Sequence, residues 1–143
     1  MQLGRASERV KALRTIPLLR DLDRSDLAQV AKMSYSVTRE PGDVLLRQGD
    51  VGTELLLIVE GRARVERDGH VVGEVGPNAV IGEMALLDSH RRSASVVAES
   101  SCELLVVPYD QFWNFIERVP SMQRKLLITL SRRVRDLEQV IAE

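Results

Sequence analysis

The stretch from Gly82 to Val97 holds residue types suited to binding a charged ligand. A helical turn that starts near Gly82 would leave backbone N–H groups without intrahelical partners, and such donors suit an anion. Arg92 lies later in the same stretch and could close on that anion with a bidentate contact. The spacing therefore predicts an anion-binding loop that combines main-chain donors with one guanidinium.

An acidic residue, Glu83, directly follows the glycine of this loop. A carboxylate beside an anion is repulsive unless it accepts a hydrogen bond from a hydroxyl of the same ligand. An anion with an adjacent hydroxyl suggests a nucleotide. The alternative is a surface loop in which Glu83 and Arg92 form a solvated ion pair. The residues of this stretch alone leave both interpretations open.

Length and composition indicate one domain without bulk attraction to polyanions. The chain has 143 residues and 44% hydrophobic residues but only 3% aromatics, so leucine, valine and isoleucine must fill the core. The net charge of −1 argues against nucleic acid or an anionic membrane as partner. The single cysteine, Cys102, excludes an internal disulfide and fits a reducing compartment. Because no apolar run approaches the roughly 20 residues of a membrane span and the N-terminus has no apolar signal core, we expect a soluble, cytoplasmic chain or a soluble piece of a larger protein.

Glycine is distributed unevenly, with eight of the nine glycines between residues 42 and 82. Turn-rich strands therefore occupy the middle, and helices flank them. The pattern predicts a mainly β fold with flanking helices, an antiparallel β-barrel or jelly roll of about eight strands. We expect one domain over residues 1–143. Residues 1–40 form a helical lead-in, residues 41–108 the barrel with the loop at 82–95, and residues 109–143 the C-terminal helices.

Local signals set several boundaries within this plan. Asp23 is a candidate N-cap for a helix that runs to about Ser34. The run Leu55–Val59 predicts a strand buried on both faces, and Asp68-Gly69 predicts a two-residue hairpin turn. Proline residues bracket the predicted helix Tyr109–Arg118, which suggests a hinged lever, and a long helix follows it.

The long helix carries apolar residues at alternating spacings of three and four. This seam consists of Leu127, Leu130, Val134, Leu137 and Ile141. Such spacing is typical of a coiled-coil interface, although it extends over only two heptads. Homodimerisation along the seam and packing of the seam back on the barrel both remain open.

With these elements in order, the chain resembles the cyclic-nucleotide-binding domain family. That family includes the regulatory subunits of cyclic-AMP-dependent kinase, the catabolite activator proteins and the cyclic-nucleotide-gated channels. The specific part is Gly82–Leu87 followed by Arg92–Val96, which is similar to the family's phosphate-binding cassette. The resemblance covers roughly residues 16–140, and its supporting marks are Ile16-Pro17-Leu18, Pro41-Gly42-Asp43, the Gly49–Gly52 turn and Val59-Glu60-Gly61.

The resemblance implies a role for each residue of the cassette. Arg92 would pair with the exocyclic phosphate oxygens, and Glu83 would accept a hydrogen bond from the ribose 2′-hydroxyl. The other implied ligand-binding residues are Gly82, Met84, Ala85, Ser93 and Ala94 around phosphate and ribose, Ile81, Val71 and Val72 on the sugar and base side, and Arg133 and Leu137 on the long helix, where Arg133 could also pair with Glu83.

The chain departs from the catabolite activators at the base end of the site. Those proteins place a Thr-Ser pair on the long helix, where this chain has Leu137 and Glu138. An apolar lid over the base is the expected substitute. We expect cyclic AMP rather than cyclic GMP as the ligand, with no cofactor and no metal.

The implied function is that of a sensor and not of an enzyme. Ligand binding would move the C-terminal helices, which signal to a partner or an attached domain, without direct contact to nucleic acid or membrane. One alternative is a structural or interaction module of the same fold, with an empty pocket or a different small anionic ligand. Another is a metal-dependent enzyme of similar shape, but His70 and His90 do not supply a metal site.

Overall fold

The computed structural model describes residues 3–83, 85–88 and 90–142, with side chains up to residue 137. These residues form five helices, which are α1 (Ala6–Leu13), α2 (Arg24–Met33), α3 (Ala85–Asp88), α4 (Tyr109–Arg118) and α5 (Pro120–Ala142). They also form eight strands, which are β1 (Tyr35–Arg39), β2 (Val44–Leu46), β3 (Glu54–Glu60), β4 (Ala63–Arg67), β5 (His70–Val75), β6 (Val80–Ile81), β7 (Ser95–Ala98) and β8 (Cys102–Pro108).

The strands form two four-stranded antiparallel sheets. One sheet has the order β1-β8-β3-β6 and the other the order β2-β7-β4-β5. The predicted mainly β, jelly-roll architecture is therefore confirmed. The alternative of a β-barrel is wrong, because each sheet ends in strands that pair on one side only, and closure would require every strand to have two neighbours.

Two apolar layers hold the domain together. One layer packs helices against the outer face of β3 and β8, and the other lies between the sheets. Strand β3 serves both layers, because Leu55 and Leu57 face the helices whereas Leu56 and Ile58 face the other sheet. The predicted burial of this strand on both faces is confirmed.

Local signals also produced the predicted turns and caps. The Asp23 carboxylate accepts a hydrogen bond from the Asp26 main-chain N–H at 2.9 Å and so caps α2. Between β4 and β5, Asp68 and Gly69 have φ values of 53° and 80°, which is the left-handed backbone that a tight primed hairpin turn requires.

Strand β1 was not predicted, because residues 1–40 were expected to be helical. Among the five residues of β1, Val37 is partly buried and the other four are exposed. The strand exists because it pairs along its whole length with β8, from Tyr35 opposite Val106 to Arg39 opposite Cys102. Pairing with a strand that is distant in the sequence therefore stabilises β1, whose own residues do not alternate clearly between apolar and polar.

The C-terminal helices have the predicted order. Helix α4 begins at Tyr109 and ends at Arg118, and α5 starts at Pro120, whose missing N–H is tolerated in a first helical turn. Within the described part of the chain, none of the helices combines the length and apolarity needed to cross a membrane.

Candidate ligand-binding cavity

A cavity of about 830 Å³ opens beside the predicted cassette. Seven of the residues predicted to bind a ligand line it, namely Ile81, Gly82, Glu83, Ala85, Arg92, Ser93 and Ala94. The lining also contains residues that were not predicted as ligand contacts, namely Leu46, Val65, Arg67, Val80, Asp88, His90, Arg91 and Val96. The cassette and the apolar ends of neighbouring strands therefore share one space.

Four predicted residues do not line the cavity. Val71 and Val72 are 64% and 55% exposed, because they lie on β5, an edge strand of its sheet. Val65 on β4 is the valine of this hairpin that lines the cavity. Leu137 is 65% exposed on α5. Arg133 contacts Glu83 rather than the cavity itself. The remaining prediction, Met84, lies outside the described residues.

The guanidinium of Arg92 is held by two uncharged oxygen atoms. Its Nη2 donates to the main-chain oxygen of Glu54 at 2.7 Å, and its Nη1 donates to the hydroxyl of Tyr109 at 3.2 Å. The guanidinium carbon lies 5.8 Å from the centroid of the Tyr109 ring. In the part of the chain that the structure describes, Arg92 has no carboxylate partner. A half-buried positive charge therefore lacks a compensating anion, which is unfavourable.

Two glycines make room for the Arg92 side chain. A Cβ atom on Gly52 would lie 2.4 Å from the guanidinium carbon of Arg92. A Cβ atom on Gly82 would lie 2.5 Å from Nη1 of Arg92 and 2.4 Å from the hydroxyl of Tyr109. Gly82 also has a φ of 85°, which side chains rarely adopt. Both glycines are therefore needed for the observed position of the arginine.

The main chain around Arg92 is fixed by the turn that precedes β3. Gly49 N–H donates to the carbonyl of Arg92, and Arg92 N–H donates to the carbonyl of Asp50, each at 2.8 Å. The neighbouring Arg91 donates from Nη1 to the carbonyl of Gly49, also at 2.8 Å. This turn therefore uses Arg91 and the backbone of Arg92, whereas the Arg92 side chain lies at the cavity.

Glu83 is almost completely buried, with 8% of its surface exposed. Its Oε2 accepts a hydrogen bond from the main-chain N–H of Leu18 at 2.9 Å. Its Oε1 pairs with Nη1 of Arg133 on α5, so the predicted pairing of these two residues is present. The contact with Leu18 was not predicted. One carboxylate thus connects the N-terminal segment, the cassette and α5.

Tyr109 connects the cassette to α4 and was missed as a site residue. Its hydroxyl donates to the carbonyl of Gly82 at 2.6 Å while it accepts from Arg92. Burial raises the pKa of the Tyr109 hydroxyl, and the nearby Arg92 charge partly opposes that rise. Trp113, one turn further along α4, donates from Nε1 to the carbonyl of Leu86 at 2.8 Å.

The rim of the cavity carries further charges. Arg67 donates from Nε to the carbonyl of Ser93 at 3.2 Å. Asp88 accepts a hydrogen bond from the main-chain N–H of His90 at 3.2 Å. Among the residues that could be searched, no group of three or more histidine, cysteine, aspartate or glutamate side chains could hold a metal ion.

Comparison with known proteins agrees with this geometry. Residues 36–119 match the family model described as "Cyclic nucleotide-binding domain". The match spans more than half of the chain, and it includes both sheets, the cassette and α4.

Similar proteins include a regulator and a channel. The cyclic AMP receptor protein of Thermus thermophilus is 36% identical over 103 residues, which cover 68% of this chain and 47% of that protein. The human potassium/sodium hyperpolarization-activated cyclic nucleotide-gated channel 2 is 30% identical over 115 residues, covering 80% of this chain and 13% of the channel. The chain thus spans less than half the length of these relatives.

One solved structure is similar over nearly its full length. It is the N-terminal domain of a transcriptional regulator from Streptomyces coelicolor A3(2), with a TM-score of 0.81 and 30% sequence identity. The alignment covers 90% of this chain and 95% of that domain.

Proposed function

The chain belongs to the cyclic nucleotide-binding domain family, and we propose that it is a sensor that binds cyclic AMP, in preference to cyclic GMP, in the cavity beside Arg92. The observation that carries this proposal is the half-buried Arg92 guanidinium, whose described partners are all uncharged. A phosphate would supply the missing negative charge. No catalytic step is assigned to the chain.

Arg92 has donors left for a phosphate. A guanidinium carries five N–H donors, and the described contacts use one on Nη1 and one on Nη2. The remaining N–H groups can still form a parallel pair, which two phosphate oxygens accept in a bidentate contact. Ser93 and Ala94, which follow Arg92 and line the same cavity, would add main-chain or hydroxyl donors to the phosphate.

Glu83 is proposed to accept the ribose 2′-hydroxyl. Each of its oxygen atoms already accepts one hydrogen bond, from Leu18 and Arg133, and each keeps a second lone pair. A buried carboxylate with two partners is fixed in position, which favours selection of a ligand with a hydroxyl at the right distance from its phosphate.

The same carboxylate offers a route to α5. A hydroxyl bound to Glu83 changes the competition for its oxygen atoms, and Arg133 is the α5 residue that depends on them. Ligand binding moves α5 only to the extent that the ligand binds one helix position more tightly than the other.

We propose that α5 signals through a second copy of this chain. Leu127, Val134 and Leu137 of the seam are 67%, 54% and 65% exposed, whereas Leu130 is partly buried against the core. The side chain of Ile141 lies outside the described residues. An exposed apolar stripe at heptad spacing favours a parallel helix pair over packing back on the sheets. An attached or partner effector is the alternative recipient of the signal, and neither nucleic acid nor membrane is proposed as a direct partner.

The competing proposal is an interaction module that holds a small inorganic anion, or nothing, at Arg92. Calorimetric titration with cyclic AMP, cyclic GMP, 5′-AMP and inorganic phosphate separates the two. Arg92→Ala should weaken binding of the cyclic nucleotide by about 30- to 1,000-fold, which is about 2–4 kcal/mol for a charge-assisted bidentate contact. Arg118→Ala, on an exposed residue of α4, is the matched control and should leave affinity unchanged.

Two results would contradict the proposal in different ways. Absence of binding of both cyclic nucleotides at millimolar concentration, with phosphate still bound, would favour the interaction module. If the Arg92→Ala variant and the unaltered chain bind the cyclic nucleotide with equal affinity, the proposed ligand stands, but Arg92 does not bind it.

A further inference from the structure

The Tyr109 hydroxyl lies between the proposed phosphate-binding arginine and the cassette. It is 3.2 Å from Nη1 of Arg92 and 2.6 Å from the main-chain oxygen of Gly82. Tyr109 is also the first residue of α4. A single oxygen atom therefore connects three parts of the molecule that are far apart in the sequence.

The direction of these two hydrogen bonds is fixed by the chemistry of the partners. A carbonyl oxygen can only accept, so the single hydroxyl proton of Tyr109 is donated to Gly82. A guanidinium can only donate, so a lone pair of the same oxygen accepts from Arg92. Each bond polarises the hydroxyl in the sense that strengthens the other.

The contact with Tyr109 also restricts the orientation of Arg92. Glu54 accepts from Nη2 and Tyr109 accepts from Nη1, so both terminal nitrogens of the guanidinium plane are held. The plane has little freedom to slide, because Gly52 and Gly82 leave no space for even a methyl group beside it. The hydroxyl therefore helps to aim the remaining N–H donors.

Two hydrogen bonds join α4 to the main chain of the cassette. Its first residue is bonded to Gly82, and Trp113 is bonded to the carbonyl of Leu86 within α3. The core-facing side chains of α4 are buried, with Phe112 1% and Phe115 4% exposed. A displacement of Arg92 or Gly82 must therefore stretch its hydrogen bond to Tyr109 or carry the N-terminal end of α4 with it.

We propose that Tyr109 is a positioning residue that aims Arg92 at the ligand and transmits its displacement to α4. This inference rests on the proposed function, because it requires an anionic ligand at Arg92. Tyr109 itself need not contact the ligand, and it is not among the residues that line the cavity.

The first test compares affinities in a double-mutant cycle. Tyr109→Phe keeps the ring in the core and removes only the hydroxyl, and it should weaken cyclic AMP binding by about 5- to 20-fold. In an Arg92→Ala background the same substitution should change affinity by less than about twofold, because its effect passes through Arg92. Ser36→Ala is the control, since it also removes one hydroxyl, on an exposed residue of β1 that does not line the cavity.

The second test uses a reporter that the helix already contains. Trp113 is the only tryptophan, and its indole N–H contacts the cassette. Saturating cyclic AMP should change the Trp113 emission of the unaltered chain. The Tyr109→Phe variant, saturated at higher ligand concentration, should retain less than about half of that change, because Arg92 and α4 are no longer joined.

The outcomes separate this inference from the proposed function. If the unaltered chain binds cyclic AMP and Tyr109→Phe binds equally well, the positioning role is overturned and the proposed function stands. Additive losses from Tyr109→Phe and Arg92→Ala would also overturn it, as would a Trp113 response of full size in the variant. If the unaltered chain binds neither cyclic nucleotide, the proposed function fails and the inference fails with it.

Discussion

The two C-terminal helices are attached to the rest of the molecule by different kinds of contact. Helix α4 buries one face, where Phe112, Phe115 and Ile116 are at most 4% exposed, and none of its described polar contacts with the cassette is an ion pair. Two are neutral hydrogen bonds to main-chain oxygens, and a third joins the Arg92 guanidinium to the neutral Tyr109 hydroxyl. The polar contacts of α5 are mostly ionic. Its Lys125, Thr129, Arg132 and Arg133 bind carboxylates of Asp26, Asp21 and Glu83.

The two helices are therefore attached to different parts of the chain, and their contacts respond to different solution conditions. Helix α4 is attached to the cassette through neutral groups of its own, so its contacts depend less on salt than ion pairs do. Apart from Arg133, the charged contacts of α5 join it to the N-terminal segment, through Asp21, Asp23 and Asp26. Contacts of that kind weaken with ionic strength and with protonation of the carboxylates. The comparison can be tested from its strongest consequence to its weakest.

The largest expected effect is on the apolar attachment of α4. Phe112→Ala should lower the free energy of unfolding by about 3–5 kcal/mol, because it leaves a cavity at a side chain that is 1% exposed. Ile128→Ala on α5, where the side chain is 45% exposed, is the control and should change it by less than about 0.5 kcal/mol. Urea unfolding followed by Trp113 fluorescence measures both. Similar losses in the two variants would remove the contrast between the helices.

An intermediate effect is expected from acid. The Thr129 hydrogen bond, followed by Arg132, holds the pKa of Asp21 below its usual range against the opposing effect of burial. Since the pKa of the folded state is the lower one, Asp21 stabilises at neutral pH and loses this contribution as the pH falls below about 4 through the folded-state value. The protection factors of the α5 amides should therefore fall on acidification before those of the α4 amides do.

Asp21→Asn supplies the control for the acid prediction. The variant should show reduced protection of the α5 amides already at pH 7 and a smaller further loss of protection on acidification. Simultaneous loss of protection in α4 and α5 would contradict the separate attachment of the two helices. The opposite sign applies to Lys125, whose pKa is raised chiefly by its bond to Asp26, so its contribution is lost only as the pH rises through that raised value.

The smallest effect on stability is expected at the exposed seam of α5. Replacing Leu127 and Val134 by serine should change the free energy of unfolding of the monomer by less than about 0.5 kcal/mol per site, because both side chains are more than half exposed. The same pair of substitutions should abolish the proposed homodimer, as measured by light scattering. The control is Ile128→Ser, which lies off the seam and should leave the dimer intact. If the unaltered chain is monomeric at high concentration, the proposed homodimer is refuted.

Local pattern predicted much of the fold and part of the site. The N-cap at Asp23, the hairpin turn at Asp68 and the bounds of α4 depend on neighbouring residues, and all were confirmed. The cassette residues from Gly82 to Ala94 were found because they are close in sequence, and their ligand-binding role stays a prediction. Burial and alternation alone could not tell a closed barrel from two sheets, since both have the same period.

What could not be predicted depends on distant pairs. Leu18 contacts a residue 65 positions away, and Tyr109 contacts one 27 positions away. The sequence around a tyrosine at the start of a helix does not indicate whether its side chain only packs in the core or also bonds to an arginine. The sequence did not predict strand β1 for a related reason, because its hydrogen bonds come from β8, which is the neighbouring strand in the sheet but the last strand in the sequence.

The ionic attachment of α5 also has a consequence for the order of folding. Its contacts with Asp26 and Asp21 close loops of 99, 108 and 111 residues. The entropy lost in closing such a loop is best offset when the intervening sheets have already brought its ends together. We therefore expect α5 to join Asp21 and Asp26 last, so that a nascent polypeptide keeps these two carboxylates without their α5 partners until that helix has been synthesised.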